Sequence, residues 1–480
     1  MRFNAASVGT KTVNLAGGRA YKMDAREALT TLVLTSFLKD QFYRTASDTL
    51  TELAGLLKEV PAAYAMKLAV FARKEYGMRS ITHVMAGLGL TLWRGNPMLK
   101  NFLMQVIHRP DDMLEILAVY NQGRAKFYIP NALKKVMRKK LEGMSEYTLA
   151  KYRGEGKEIK MVDLVNLVHP KNSDAIKKLV KGELVSTDTW EARLTQAGQK
   201  AKEDGEDLGA LKSDAWLGLL KEGKLGYFAL LRNCRNIIQG CPEGVPMLCE
   251  QLVNEEAIKK SLVLPFRYYT ACKALIDSTS PVGKPVIRAL EAAMDIACKN
   301  VPKLKGKTLV CMDESGSMKQ ADVDVFASVF TGILHTLGDT DIITFAERAR
   351  LRTFFPSDGV MRVTNTLLSD FNAGGTNFNS AFSVVKDRGY SRIIFLSDMQ
   401  GWMERTAPLQ ELRMWCAAGN TPWIHSIDLA GYGTTKFPAD RICLLAGMSE
   451  KVLEMIPLLE EDRGALIKKI EGLNITGENK

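Results

Sequence analysis

Apolar residues recur at a helical spacing over the first three hundred positions and fall into short unbroken runs after them. Ala65, Leu68, Ala69 and Ala72 stand at i, i+3, i+4 and i+7 behind Pro61, a residue suited to a first helical turn, and Gly77 ends the segment. Residues 81–93 are nearly all apolar, as in an inner helix of a stacked array. Leu133, Val136, Met137 and Leu141 form one face of a helix opened by Pro130 and closed by Gly143. Residues 162–168 predict a short apolar helix ending in His169-Pro170, and Ser173 is placed to cap the helix over 174–181. Residues 190–214 are polar with scattered Gly and read as a loop-and-helix excursion. Helical spacing returns over 219–238, 248–260, 265–276 and 281–298. No strand alternation is visible before Thr308, so the pattern predicts an antiparallel array of HEAT-like helical hairpins, although no sharp sequence repeat marks it.

Beyond Lys307 the pattern changes to α/β. Leu309, Val310 and Cys311 suit a buried parallel strand, and strands are predicted over 341–345, 350–355, 392–396, 422–429 and 441–445. Helical stretches at 323–337, 363–368, 379–385, 409–416 and 449–460 alternate with them, which gives a doubly wound sheet with right-handed crossovers. The run at 309–311 ends in Asp313-Glu314-Ser315-Gly316-Ser317. A second loop carries Gly374-Gly375-Thr376-Asn377, and the run at 392–396 ends in Ser397-Asp398. In an open parallel sheet, sites collect at the carboxyl ends of strands. Asp313, Ser315, Ser317, Thr376 and Asp398 then make an all-oxygen set with few charges and several hydroxyls, which suits Mg²⁺.

Length and charge sharpen this picture. At 480 residues the chain is too long for one ordinary core. Three parts are expected: an N-terminal arm over 1–23, a helical domain over 24–302 and an α/β domain over 303–480. The net charge of +11 is unevenly spread: 17 Lys and Arg face 22 Asp and Glu from Thr308 onward, against 48 and 32 before it. A basic helical part suggests a polyanionic partner. Lys134, Lys135, Arg138, Lys139 and Lys140 occupy the other face of the helix that buries Leu133, Val136, Met137 and Leu141, with no carboxylate among them, either as a solvated face or as a phosphate contact.

Other classes find no support. No apolar run nears the ~20 residues of a membrane span, and the N-terminus lacks a signal-peptide core. Eight scattered cysteines, with Cys234, Cys241 and Cys249 too far apart for CxxC zinc ligation, read as reduced thiols of a cytoplasmic protein. Ser315 and Ser317 lack a neighbouring base, and His335 and His425 sit in apolar patterns like core histidines. No GxxxxGK[ST] loop occurs, so a binding protein rather than an enzyme is expected.

Asp313-x-Ser315-x-Ser317, then Thr376, then Asp398 resembles the metal-ion-dependent adhesion site of von Willebrand factor A domains. One departure stands out: Met399 follows the last Asp where adhesive relatives usually carry Gly. A basic helical array before such a domain resembles the Ro autoantigen (TROVE-domain) family. The stretches 14–21 (NLAGGRAY), 71–87, Lys151-Tyr152 with 163–169 (DLVNLVH), 230–233 and 307–318 carry that resemblance. It implies a closed, monomeric ring of HEAT-like repeats with a central hole, followed by the A-type domain. It also implies noncoding RNA quality control. The single-stranded 3′ end of a misfolded RNA enters the hole, Y-like RNAs bind the outer surface, and some bacterial relatives pair through Y RNA with an exoribonuclease. Lys151 and His169 are then the first RNA-contact candidates, followed by Arg153 and Lys157, with Tyr152 offering a stacking surface beside Lys151. The alternative is a Mg²⁺-dependent adaptor whose metal accepts a carboxylate from a partner protein, with the helical array as scaffold.

Overall fold

The fold is that of a computed structural model. It describes residues 10–35, 45–152, 160–184, 190–261, 263, 265–276, 282–299, 301–320, 322–385, 389–417, 421–437, 442–446, 451–462 and 464–475. These pack as two compact units. One takes 10–23 and 190–462; the other takes 24–35, 45–184 and 464–475.

Among the described residues the second unit has helices and no strand. Helices Ala62–Glu75, Leu99–Val106, Asn131–Glu142 and Met161–Val168 pack each on the next but one in sequence, the signature of stacked hairpins. The predicted face of Asn131–Glu142 is the buried one: Leu133, Val136, Met137 and Leu141. Ser173 caps its helix as expected, accepting from Ile176 N. Pro61 and Pro130 precede their helices as N-caps. The last helix, Ala465–Glu471, packs on Ala62–Glu75, and Arg26 pairs with Glu471.

An ion network holds this unit together where helices Ala62–Glu75, Ser80–Leu92 and Pro110–Asn121 meet. The fully buried Asp112 receives Arg73 at 3.0 Å and Arg79 at 2.8 Å, and His83 lies 3.1 Å away. Its carboxylate also accepts from the backbone N–H of His108 and Arg109, each at 2.9 Å, at the start of its own helix. Burial alone would raise this carboxyl. The donors from His83, Arg79 and the backbone outweigh it and hold the group far below the usual range.

The first unit joins helices to a sheet. Two short strands, β1 (Lys11–Val13) and β2 (Arg19–Lys22), form a hairpin. The sheet strands follow: β3 (Thr308–Asp313), β4 (Thr340–Phe345), β5 (Ala349–Arg352), β6 (Arg392–Ser397) and β7 (Trp423–Asp428). A two-residue β8 (Thr434–Thr435) and then β9 (Ile442–Ala446) complete the set. The order β5-β4-β3-β6-β7-β9 makes a six-stranded sheet, parallel except for β5 on its edge. This is the α/β architecture of a von Willebrand factor A domain.

Three expectations are corrected. Strands do occur before Thr308: β1 and β2 are too short for alternation to show, and β2 is completed by pairing with β8, more than four hundred residues away. The stretch 190–214 is two paired helices, Trp190–Asp204 and Leu208–Lys221, with Trp190 stacked on Trp216 at 5.9 Å. His335 is not a core residue; it is half-buried, its Nε2 3.0 Å from Phe355 O. His425 does sit in the core, 3.1 Å from Glu460.

Phe266 stacks on Phe326 at 4.0 Å, and Asp295 accepts from Val360 N at 3.1 Å. Helices Pro265–Ile276 and Gly283–Cys298 therefore share apolar surface with the α/β part, although they carry the helical pattern of what precedes them.

Candidate metal centre and nucleic-acid interface

The loops at the carboxyl ends of β3 and β6 meet the loop over 370–378, which follows helix Val360–Ser369 and runs beside the end of β4. Glu314 N donates to Phe345 O at 2.8 Å, and Ala373 N donates to Glu314 O at 2.8 Å. Gly316 N donates to Gly374 O at 2.9 Å, and Ser315 and Gly374 form a parallel bridge. The loop after β6 crosses the second loop, with Trp402 N and Met403 N both donating to Thr376 O at 3.1 Å. A Cβ on Gly375 would stand 2.6 Å from Met403 Sδ, so this crossing requires glycine there.

The five predicted oxygen-bearing residues lie on these loops, and all are buried. Asp313 Oδ1 accepts from Ser315 N at 2.9 Å, and its Oδ2 accepts from Ser397 Oγ at 2.6 Å. Ser315 Oγ and Ser317 Oγ lie 3.3 Å apart. Asp398 Oδ1 accepts from Gln400 N at 3.0 Å, while its buried Oδ2 has no hydrogen bond. Burial and the neighbouring Asp398 charge push the Asp313 carboxyl up; burial likewise raises Asp398. A buried, mutually repelling carboxylate pair with one oxygen unpaired and hydroxyls beside it is the donor set a hard dication relieves. Among the described residues no three His, Cys, Asp or Glu cluster for a metal; this set offers two carboxylates beside hydroxyls. The adjacent Glu314 is withdrawn from it, because Arg350 Nη2 reaches both of its oxygens at 2.8 Å.

Met399 occupies the left-handed region with φ 61°. The Gly usual at this place costs nothing in that conformation, whereas a side chain costs about 1 kcal/mol. Met399 is nevertheless buried, and its Sδ accepts from Ser426 Oγ at 3.2 Å.

Further residues outside the five take part in the centre. Ser397, which binds both Asp313 and the Met399 N–H, was signalled by its place beside Asp398. Lys436 is fully buried and donates to Arg19 O at 2.7 Å and to Gly401 O, with Glu404 3.6 Å away; its own neighbours in sequence give no hint of this. Asn14, whose amide donates to Gly401 O at 2.8 Å, lies 387 residues from its partner.

The RNA-contact candidates fall in the second unit, in two groups. His169 ends helix Met161–Val168 in the left-handed conformation, φ 51°, with its imidazole exposed. Arg138 Nε donates to Val168 O at 2.9 Å, which ties that helix end to the helix carrying Lys134, Lys135, Lys139 and Lys140. Lys151 is exposed and lies 5.9 Å over the Tyr147 ring, and Arg109 lies 4.9 Å over the neighbouring Tyr152 ring. Among the described residues no hydrogen bond or ring contact joins Lys151 to His169. Arg153 and Lys157 lie outside the described residues. Arg109 gave no signal in the sequence because it stands 43 residues from Tyr152.

No helix among the described residues is long and apolar enough to cross a membrane. All eight cysteines are free, six of them buried.

Comparisons with known proteins agree with this arrangement. The sequence profile described as TROVE domain matches residues 23–192. Telomerase protein component 1 of Mus musculus is 22% identical over 334 residues, spanning 52% of this chain and 12% of the mouse protein. Its Rattus norvegicus counterpart is 23% identical over 138 residues, 27% of this chain and 5% of the rat protein. The chain thus spans a small part of these relatives' length. The crystal structure of the Deinococcus radiodurans Ro (RSR) protein superposes with a TM-score of 0.61 at 17% identity, covering 91% of this chain and 100% of that one. Residues 23–192 thus match the TROVE-domain profile, and the chain has the fold of the Deinococcus radiodurans Ro protein.

Proposed function

We propose that the protein serves noncoding RNA quality control in the cytoplasm. Misfolded RNAs enter a central hole of the helical array by a single-stranded 3′ end, and Y-like RNAs bind the outer surface. The observation that carries this reading is the exposed His169 fixed beside the Arg138 helix, with Lys151 and the Arg109–Tyr152 stack in the same unit. Cations neutralise phosphates without reading sequence, and aromatic faces accept any base. Structured RNA with a free 3′ tail is therefore preferred, with little dependence on tail sequence. An exoribonuclease delivered through the Y-like RNA is a fitting partner, with the protein itself binding rather than cleaving, as a monomer. The test is binding of a structured Y-like RNA and of a bare oligonucleotide to His169→Ala and Lys151→Ala. Both variants should weaken the structured RNA more, by about tenfold or greater; equal loss for the two ligands places these residues elsewhere.

The metal centre favours a second role beside the first. Mg²⁺ held by Ser315, Ser317 and Thr376, with Asp313 and Asp398 direct or through water, presents an open position to a carboxylate of a partner protein. The unpaired Asp398 Oδ2 supports this reading. Salt separates the two activities. Contacts with several phosphates weaken steeply as salt rises, whereas a metal-bridged contact depends on Mg²⁺ and falls less.

A further inference from the structure

The N-terminal hairpin is wired to the loop that carries Asp398. Asn14 is 4% exposed. Its Nδ2 donates to Gly401 O at 2.8 Å and to Met399 O at 3.3 Å, while its Oδ1 accepts from Gly18 N at 2.7 Å. Leu15 N donates to Gln400 Oε1 at 2.8 Å, and Gln400 N in turn donates to Asp398 Oδ1 at 3.0 Å. From the other side, the buried ammonium of Lys436 bridges Arg19 O and Gly401 O. The fit is close: a Cβ on Gly18 would stand 1.9 Å from Gly401 O and 2.7 Å from Trp402 Cα. The hairpin thus grips both carbonyls that flank Gln400, in a loop whose Met399 sits in the left-handed region. Such a backbone persists only where its surroundings hold it.

We propose that Asn14 and Gly18 are positioning residues for the metal centre, so that docking of the N-terminal hairpin and binding of the divalent ion are thermodynamically coupled. This rests on the metal reading given above. The docked hairpin holds residues 398–401 in the conformation that turns the Asp398 carboxylate toward Asp313 and the two serines. Coupling between two binding events is reciprocal. If hairpin docking raises ion affinity, the ion must stabilise hairpin docking by the same factor. The metal centre therefore senses whether the N-terminus is in place, and a partner that captures the hairpin would release the ion.

The experiment uses the full chain and Mg²⁺ alone. Calorimetry measures Mg²⁺ affinity for the parent, Asn14→Ala and Gly18→Ala, and hydrogen exchange follows the amides of Leu15, Gly18 and Lys22 in the parent with and without Mg²⁺. The expected result is a loss of about tenfold in Mg²⁺ affinity in each variant, with hairpin amides exchanging several-fold more slowly in the parent when the ion is bound. Parent-like affinity in folded variants, or exchange at 15, 18 and 22 indifferent to Mg²⁺ in a parent that binds it, overturns the coupling and leaves the metal centre standing. A parent that binds no Mg²⁺ overturns the metal reading itself. The exchange measurement needs no variant, so it decides the question even if a substitution prevents folding.

Discussion

Asp398 holds one carboxylate oxygen satisfied and one buried without a donor, 1% exposed beside a second carboxylate. At the scale of single residues this is the sharpest feature of the molecule. The account predicts that Asp313→Ala abolishes calorimetric Mg²⁺ binding by the full chain, and equal binding by variant and parent would remove the ion from the site. Met399 poses a question that magnitudes answer. Met399→Gly relieves about 1 kcal/mol of left-handed strain but deletes a buried side chain, which costs about 2–5 kcal/mol in a core. The variant should therefore be less stable by a net few kcal/mol, seen as a lower midpoint of thermal unfolding. A midpoint at or above that of the parent would mean that the Met side chain adds nothing to packing.

At the scale of elements, the Asp112 network decides how the helices Ala62–Glu75, Ser80–Leu92 and Pro110–Asn121 cross. Removing one partner of a buried ion cluster leaves uncompensated charge and costs about 3–5 kcal/mol, so Asp112→Ala should destabilise by that amount in denaturant titrations. The carboxyl is depressed in the folded chain, and the unfolded chain takes up its proton first as pH falls. Its contribution is therefore whole above an unfolded carboxyl value of about 4 and is lost as pH falls from there through the folded value. Asp112→Asn should lower stability at neutral pH and flatten the acid limb; an acid limb as steep as the parent's would place the titrating group elsewhere.

Elements also show what was legible in the sequence. Periodicity located the core face of Asn131–Glu142 and the cap at Ser173, because both are set by residues within a turn or two. The apolar runs at 309–311 and 392–396 and their trailing Asp and Ser placed the oxygen set, since strand order brings carboxyl ends together. The hairpin β1–β2 was not legible because its strands are too short to show alternation, and the partner strand β8 and the reach of Lys436 were not because each exists only through a contact hundreds of residues distant. The helix pair 190–221 was hidden by polar residues on faces that remain in solvent.

At the scale of the whole molecule, charge separates the chain into a basic portion before Thr308 and an acidic one after it. RNA binding through the basic portion should fall steeply and log-linearly with salt, with a slope of about −0.7 per phosphate contacted on a single strand. A truncation at Lys307 is not a clean way to isolate that activity, because it strips the surfaces on which Pro265–Ile276 and Gly283–Cys298 pack. The full chain is the proper subject. The most direct test of the account is the affinity of the full chain for one hairpin RNA carrying either a single-stranded 3′ overhang or a blunt end, measured by gel shift at fixed salt. The account predicts at least tenfold tighter binding of the overhang, whatever its sequence, and equal affinity for the two ends would contradict it.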